Sequence, residues 1–145
     1  MDDPILSSAA YLLFKAGHYV HLEIEKGLAE LDLSPREMLV LSFVDHHAGL
    51  SQQELSERLG LDPTIVVGLV DGLEARDLLT RSKDPGDRRR NVLALTTAGA
   101  ALRKQAVVSF EALQANFLEP LSATDRDRLR RLLAEVLEPR VPWLR

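Results

Sequence analysis

The sequence predicts a mainly α-helical protein with one small β-hairpin. Two observations carry this prediction: a series of helix starts marked by capping residues, and two strand-length runs around a Pro/Gly turn at residues 84–90. A chain of 145 residues with 46% hydrophobic and 28% charged residues has the composition of one ordinary folded domain. We therefore expect a single domain over residues 1–145.

The composition excludes several classes of protein. The chain has no cysteine, which rules out disulfides, thiolate metal ligands and thiol redox switches. The longest nearly uncharged stretch, residues 4–14, is too short to span a membrane, and the start lacks the basic region of a signal peptide. No constellation of catalytic side chains is present. We expect a cytoplasmic protein that is not an enzyme and uses no metal, cofactor or membrane.

Helix starts are recognised where a side-chain oxygen caps a free backbone amide and an acid follows three residues later. Such boxes begin at Ser34, Ser51 and Ser122, and Asp62 stands before a proline at the first helical position. A fifth start is expected at Thr96, where the second strand-like run ends. These starts divide most of the chain into helices.

Both ends of the chain are predicted to form long amphipathic helices. Apolar residues recur at three-to-four spacing from about residue 5 to residue 31, and again towards the C-terminus. A first helix of this length exceeds what one small core can cover. The helices at about 5–31 and 97–138 are therefore predicted to form a dimerisation region, and an ordinary bundle within one chain is the alternative.

A pair of short helices with a tight turn lies between them. Residues 51–58 and 62–75 are predicted helices, and Gly60 is placed to close the first in the left-handed conformation. The stripe predicted to be buried on the second helix is Ile65, Val66, Leu69, Val70 and Leu73. The face predicted to be exposed, which a DNA major groove would meet, is Thr64, Val67, Gly68 and Asp71.

The hairpin that follows is the most informative part of the sequence. The runs at 78–83 and 91–95 flank a turn that carries Arg88, Arg89 and Arg90. Around this turn six basic residues stand against three acidic ones, although the whole chain has a net charge of −4. A guanidinium is always charged, and its planar fork of donors suits phosphates and a narrow minor groove. An arginine-tipped hairpin after a helix-turn-helix predicts a wing that contacts nucleic acid.

In this arrangement the chain resembles the MarR (multiple antibiotic resistance regulator) family of winged helix-turn-helix transcriptional regulators. The most specific match is Asp87-x-Arg89, followed after five residues by Leu95-Thr96 and then Gly99, which reproduces the family pattern D-x-R-x5-L-T-x-x-G. The resemblance implies a winged helix-turn-helix lobe at about residues 35–96. It also implies a homodimeric repressor that binds a palindromic operator in double-stranded DNA and responds to a small aromatic or phenolic effector.

The resemblance also implies roles for individual residues. Arg89 would enter the minor groove, Asp87 would orient the wing by ion pairing, and Arg88 and Arg90 would lie nearer to phosphates. Ser51 and Gln52, at a helix N-terminus, would donate to phosphate. The complete set of predicted DNA-binding residues is Ser51, Gln52, Pro63, Thr64, Val67, Gly68, Arg76, Arg81, Asp87, Arg88, Arg89 and Arg90.

Two departures from the family pattern bear on function. Val67 and Gly68 stand where relatives commonly have a small hydroxyl residue and an arginine, so hydrogen-bonded reading of bases is expected to be weak. Val67 could at most meet a thymine methyl. Asp77 stands where many relatives have glycine, and we expect it to serve as a cap. Weak base reading and the acidic net charge keep open an alternative, a winged-helix module that binds proteins or ligands without an operator.

The family often binds small aromatic acids in a cleft between the first two helices and the DNA-binding lobe. The residues expected to line this cleft are Phe14, His18, Arg36, Met38, Phe43 and His46, with Arg36 as a partner for a carboxylate. His18 and His21 lie three residues apart and share a helical face, so a metal site at this pair is an alternative reading that the sequence leaves open.

Overall fold

The computed structural model describes residues 3–141; residues 1–2 and 142–145 of the predicted single domain lie outside the described residues. The elements in chain order are α1 (Ala9–Leu28), a 3-10 turn (Ala29–Leu31), α2 (Pro35–His46), α3 (Gln52–Leu59), α4 (Pro63–Ala75), β1 (Leu79–Lys83), β2 (Asn91–Leu95), α5 (Thr97–Phe117) and α6 (Ala123–Leu137). The predicted fold class, mainly helical with one small hairpin, is confirmed.

Capping residues set the helix boundaries, as the sequence predicts. Ser34 and Ser51 each form a complete capping box with the glutamate three residues later. At Ser122 only half of the box forms: its hydroxyl accepts from the Asp125 amide at 3.2 Å, while the Asp125 carboxylate accepts from that hydroxyl rather than from the Ser122 amide. Aspartate is one methylene shorter than glutamate, which explains the shorter reach.

The first helix is shorter than the predicted span of residues 5–31. It begins after Ser8, whose hydroxyl accepts from the Tyr11 amide at 3.1 Å, and it gives way to a 3-10 turn after Leu28. The residues before Ser8 form a separate turn, in which the Asp3 carboxylate accepts from the Ile5 amide at 2.8 Å. Serine is favoured at this position because its hydroxyl accepts a hydrogen bond from a first-turn amide that has no carbonyl partner within the helix.

The helix-turn-helix is formed by α3 and α4. Gly60 closes α3 with a left-handed φ of 63°, as predicted. Asp77 follows α4 with a φ of 56°, so an aspartate does occupy the left-handed position where the sequence pattern favours glycine. The chain then enters β1.

The hairpin is tied to the segment before α3. The two strands pair antiparallel, with Leu79 opposite Leu95 and Lys83 opposite Asn91. The amide of Leu93 donates to the Leu50 carbonyl at 2.8 Å, and the next residue, Ser51, forms a β-bridge with Val92. The base of the wing and the start of α3 are therefore joined by backbone pairing.

The core lies between α2, α3, α4 and the hairpin, and it is completed by Leu28 at the end of α1 and Ala106 of α5. Its largest fully buried side chains are Leu28, Leu41, Leu55, Leu73, Leu79, Val40, Val66 and Val70. Of the stripe predicted to be buried on α4, Val66, Val70 and Leu73 are buried and Leu69 is partly buried. The prediction is wrong for Ile65, which is 41% exposed. At about 100° per residue, Ile65 lies roughly a quarter turn from the centre of the buried stripe.

The terminal helices leave a large apolar surface uncovered. Leu12 and Phe14 of α1 are 57% and 71% exposed, and Leu132 and Val136 of α6 are also exposed. Helix α1 packs against α5 for part of its length. Within residues 3–141, no helix combines the length and apolar character needed to cross a membrane.

Candidate nucleic-acid interface

The loop between β1 and β2 is closed by hydrogen bonds from its own backbone. The Asp84 carboxylate accepts from the Gly86 amide at 2.8 Å, and the Asp87 carboxylate accepts from the Arg89 amide at 3.0 Å. Backbone bonds from Asp84 to the Arg90 carbonyl and from Arg90 to the Asp87 carbonyl, both 2.9 Å, complete the turn. Aspartate commonly forms such turns because its short side chain reaches the amide two residues on.

The structure does not contain the ion pair predicted for Asp87 within the described residues. Among residues 3–141, no lysine or arginine forms an ion pair with this carboxylate, which binds the Arg89 backbone instead. The two-residue spacing favours this bond because it places the Arg89 amide within reach of the carboxylate. Asp87 therefore shapes the turn that carries Arg89 without neutralising its charge.

The three arginines of the turn have different environments. Arg88 and Arg89 are exposed, and neither guanidinium has an acidic partner among the described residues. Arg90 is turned inwards: it forms an ion pair with Glu54, lies 3.6 Å from the Asp84 carboxylate and donates to the Gly49 carbonyl at 3.1 Å. Two arginines, rather than the expected three, are thus presented at the tip.

Glu54 joins helix α3 to the wing. Its carboxylate accepts from both the amide and the hydroxyl of Ser51, each at 2.8 Å, and pairs with Arg90. These bonds hold the pKa of the Glu54 carboxyl below its usual value, and the hydrogen bond from the Ser51 amide has the largest effect. The sequence indicates the capping role of Glu54 but not the bond to Arg90, since 36 residues separate the two.

An open cavity of about 670 Å³ lies between the start of α3 and the wing. Its lining residues are Ser51, Gln52, Gln53, Glu54, Glu57, Asp87, Arg89, Arg90 and Asn91. Five residues predicted to bind DNA meet here, and the polar residues Gln53 and Asn91, next to predicted positions, were not anticipated. Ser51 is a buried residue whose hydroxyl accepts from the Glu54 amide at 3.2 Å and donates to the Glu54 carboxylate, so it serves as a helix cap.

Helix α4 exposes the face that the sequence predicts. Pro63, Thr64, Val67, Gly68 and Asp71 all reach solvent. A Cβ built on Gly68 would meet no heavy atom within 4 Å, so this part of the helix surface is open. This face of α4 is therefore free to enter the major groove of DNA.

Two further arginines predicted to bind DNA have acidic partners within the chain. Arg81 on β1 pairs with Asp71 and lies 3.2 Å from the Glu74 carboxylate, both on α4. Arg76, just after α4, lies 3.4 Å from the Glu37 carboxylate of α2. The structure thus places Arg81 against the flank of α4 and Arg76 against α2, and it brings neither to the tip of the wing.

A second cavity, of about 370 Å³, lies between α2 and α5. Its lining residues are Met38, Leu39, Ser42, Val107, Phe110, Glu111 and Gln114. Of the six residues predicted to line an effector cleft, Met38 alone is among them. No local pattern in the sequence indicates that α5 lines this cavity, because its contact with α2 joins segments far apart in the chain.

The other predicted effector residues are dispersed. Phe14 and His18 lie on the exposed surface of α1, Arg36 and His46 are exposed on α2, and Phe43 packs partly against the core. His21, considered with His18 as a metal pair, lies 3.3 Å from the Glu25 carboxylate. Within residues 3–141, no three His, Asp or Glu side chains are grouped so that they could hold a metal ion.

Comparison with known proteins identifies relatives over nearly the whole chain. The model of the MarR family matches residues 31–90. A MarR-family transcriptional regulator from Rhodococcus sp. RHA1 is 33% identical, with coverage of 90% of this chain and 92% of its own and a TM-score of 0.83. The transcriptional repressor NicR of Pseudomonas putida is 27% identical over 92% of this chain and 85% of its own length.

The repressor CouR has been solved in two relevant states. Bound to a 23-mer DNA duplex, it is 30% identical, with coverage of 94% and 97% of the two chains and a TM-score of 0.86. CouR from Rhodococcus jostii RHA1 bound to p-coumaroyl-CoA is 32% identical, with coverage of 95% and 97% and a TM-score of 0.85. The predicted family, fold and function class are confirmed. The chain belongs to the MarR family of winged helix-turn-helix, DNA-binding transcriptional regulators, which are not enzymes.

Proposed function

We propose that this chain is a cytoplasmic, effector-responsive repressor that binds a palindromic operator as a homodimer. One observation carries the operator-binding part: Arg88 and Arg89 are exposed on a structured loop, without acidic partners among residues 3–141, beside the open face of α4. Cations at a wing tip suit phosphates and the minor groove, while an exposed recognition helix suits the major groove. The DNA complex of CouR supports the same use of the fold.

Dimerisation is supported by the apolar surface of the terminal helices. Residues such as Leu12, Phe14 and Val136 would remain in water in a monomer, and soluble monomers rarely expose large contiguous apolar patches. A two-fold dimer buries the same patch on both subunits. It would set two copies of α4 towards half-sites about 34 Å apart, one turn of DNA.

An effector site is supported by the cavity between α2 and α5. Its walls include the apolar residues Met38, Val107 and Phe110, with Ser42 and Gln114 as polar groups, which is the composition expected for a small aromatic ligand. The cavity joins α5, one of the terminal helices, to the DNA-binding lobe. A ligand that favours one dimer arrangement would shift the population between DNA-binding and non-binding forms. The CouR complex with p-coumaroyl-CoA supports an aromatic class of effector.

The test is selection of bound duplexes from a random DNA library, followed by salt titration of the enriched sequence. A palindrome should be enriched, and the logarithm of the binding constant should fall with log salt by about 0.9 for each phosphate neutralised. Arg89→Ala should weaken binding, whereas Lys104→Ala on α5, which removes an exposed charge outside the wing, should not. Absence of any enriched duplex at low salt, with effector-free protein, would favour the alternative module that lacks operator binding.

A further inference from the structure

The recognition helix α4 has few groups that can hydrogen-bond to bases. Between Pro63 and Ala75 it contains no lysine, arginine, histidine, asparagine or glutamine, and Thr64 supplies its one side-chain donor. Its two acids, Asp71 and Glu74, are held by Arg81. The bidentate contacts by which arginine recognises guanine and amides recognise adenine are therefore unavailable to this helix.

Apolar side chains occupy the flanks of the same exposed face. At about 100° per residue, Thr64, Gly68 and Asp71 follow the middle of the face, and Ile65 and Val67 lie on either side of it. Ile65 and Val67 are 41% and 40% exposed. Because a Cβ on Gly68 would have no neighbour within 4 Å, the helix is thin between these two side chains. Both belong to its first two turns, the part of a recognition helix that meets base edges.

One base offers an apolar group at this position. In the major groove, thymine carries a 5-methyl group, whereas the other base edges present hydrogen-bond donors and acceptors. Contact between a branched aliphatic side chain and a methyl group is favourable, because it removes apolar surface of both groups from water. Set against polar edges, Ile65 and Val67 would instead displace water from groups that they cannot bond.

We propose that Ile65 and Val67 determine operator specificity by contacting the 5-methyl groups of thymines in each half-site. This inference rests on the proposed function, because it requires that α4 enters the major groove of an operator. It assigns base recognition by α4 to apolar contacts and leaves charge-based binding to the wing.

The first experiment uses the wild-type protein and its selected operator. Each thymine of the half-sites is replaced by deoxyuridine, which removes the methyl group and keeps base pairing and all hydrogen-bonding groups. Binding should weaken about fourfold for each contacted methyl, the factor expected for one buried methyl-sized group. The sensitive thymines should occur in symmetric pairs, and deoxyuridine between or outside the half-sites should have no effect.

The second experiment identifies the side chains. Val67→Ala and Ile65→Ala should each weaken binding to the thymine operator. Each variant should also abolish the difference in affinity between thymine and deoxyuridine at one position of each half-site. Arg89→Ala is the matched control: it should weaken binding to both duplexes equally and preserve their ratio. Thermal melting of each variant shows whether the fold is intact.

The outcomes separate this inference from the proposed function. If deoxyuridine at every half-site thymine leaves the affinity unchanged, or if the enriched half-sites contain no thymine, the operator is bound but methyl recognition is wrong. If no duplex is enriched, operator binding itself is wrong and methyl recognition fails with it.

Discussion

The bond between Glu54 and Arg90 gives the most discriminating prediction. The negative charge of Glu54 should oppose DNA binding, whereas its bond to Arg90, which holds the wing in place, should favour it. We expect Glu54→Gln to weaken operator binding roughly three- to tenfold, on the order of 1 kcal/mol, the cost of ordering a side chain and its loop at an interface. Glutamine still completes a capping box. The pair is exposed, at 38% for Arg90 and 45% for Glu54, so stability should fall by at most about 1 kcal/mol.

Loss of the Glu54 charge and loss of its bond to the wing would change the affinity for DNA in opposite directions. If Glu54 acted on DNA only through its charge, its removal next to a polyanion would strengthen binding. Glu57→Gln is the matched control, since Glu57 lies on the same helix, lines the same cavity and bonds to the Gln53 amide at 3.3 Å rather than to the wing. Fluorescence anisotropy with the operator at several salt concentrations measures both variants. If Glu54→Gln binds as tightly as Glu57→Gln, the anchoring role is refuted.

Arg90 should behave as the partner of Glu54 in the same assay. Arg90→Gln and the double variant should bind DNA about as weakly as Glu54→Gln, because two residues that act through one bond are not additive. Arg90→Gln should also keep the wild-type salt dependence. A loss of about 0.9 in that slope would mean that Arg90 contacts a phosphate, as the family resemblance implies.

Four further outcomes follow from the structure. Arg89→Ala should cost about 1 to 3 kcal/mol in operator binding and leave the dimer intact in sedimentation; equal affinity would remove Arg89 from the interface. The pKa of Glu54 is lowered from the ordinary 4.5, so its contribution to stability should be complete above pH 4.5 and be lost as pH falls through the native value; urea melts of wild type and Glu54→Gln should converge there. Gly99→Ala should lower the melting temperature, since its Cβ would overlap the Leu78 carbonyl, whereas Gly68→Ala, in open space, should raise stability by about 0.5 to 1 kcal/mol. Phe14→Asp should yield monomers in sedimentation; an unchanged dimer would place the interface elsewhere.

Features set by neighbouring residues could be predicted from the sequence. Ser51, Asp62 and Thr96 begin helices because each caps an amide two or three residues away, and Gly60 closes a helix by its own backbone conformation. The exposed face of α4 follows in the same way from helical periodicity.

Features that join distant segments could not be predicted. Arg76 meets Glu37 across 39 residues, and the cavity beside Met38 depends on α5 lying against α2. A string of arginines indicates positive charge at the turn, but it does not show that Arg90 faces inwards. That distinction requires the position of Glu54, which only tertiary packing supplies.

The pairing of Leu50 and Ser51 with β2 bears on how a dimer could change its affinity. Backbone bonds join the start of α3 to the base of the wing, and Arg81 joins β1 to α4, so the groups proposed to meet one half-site are linked into a single unit. Movement between subunits would alter the distance separating two such units while preserving the internal geometry of each. In the proposed dimer, an effector would therefore change the preferred spacer between half-sites and leave the preferred bases within them the same.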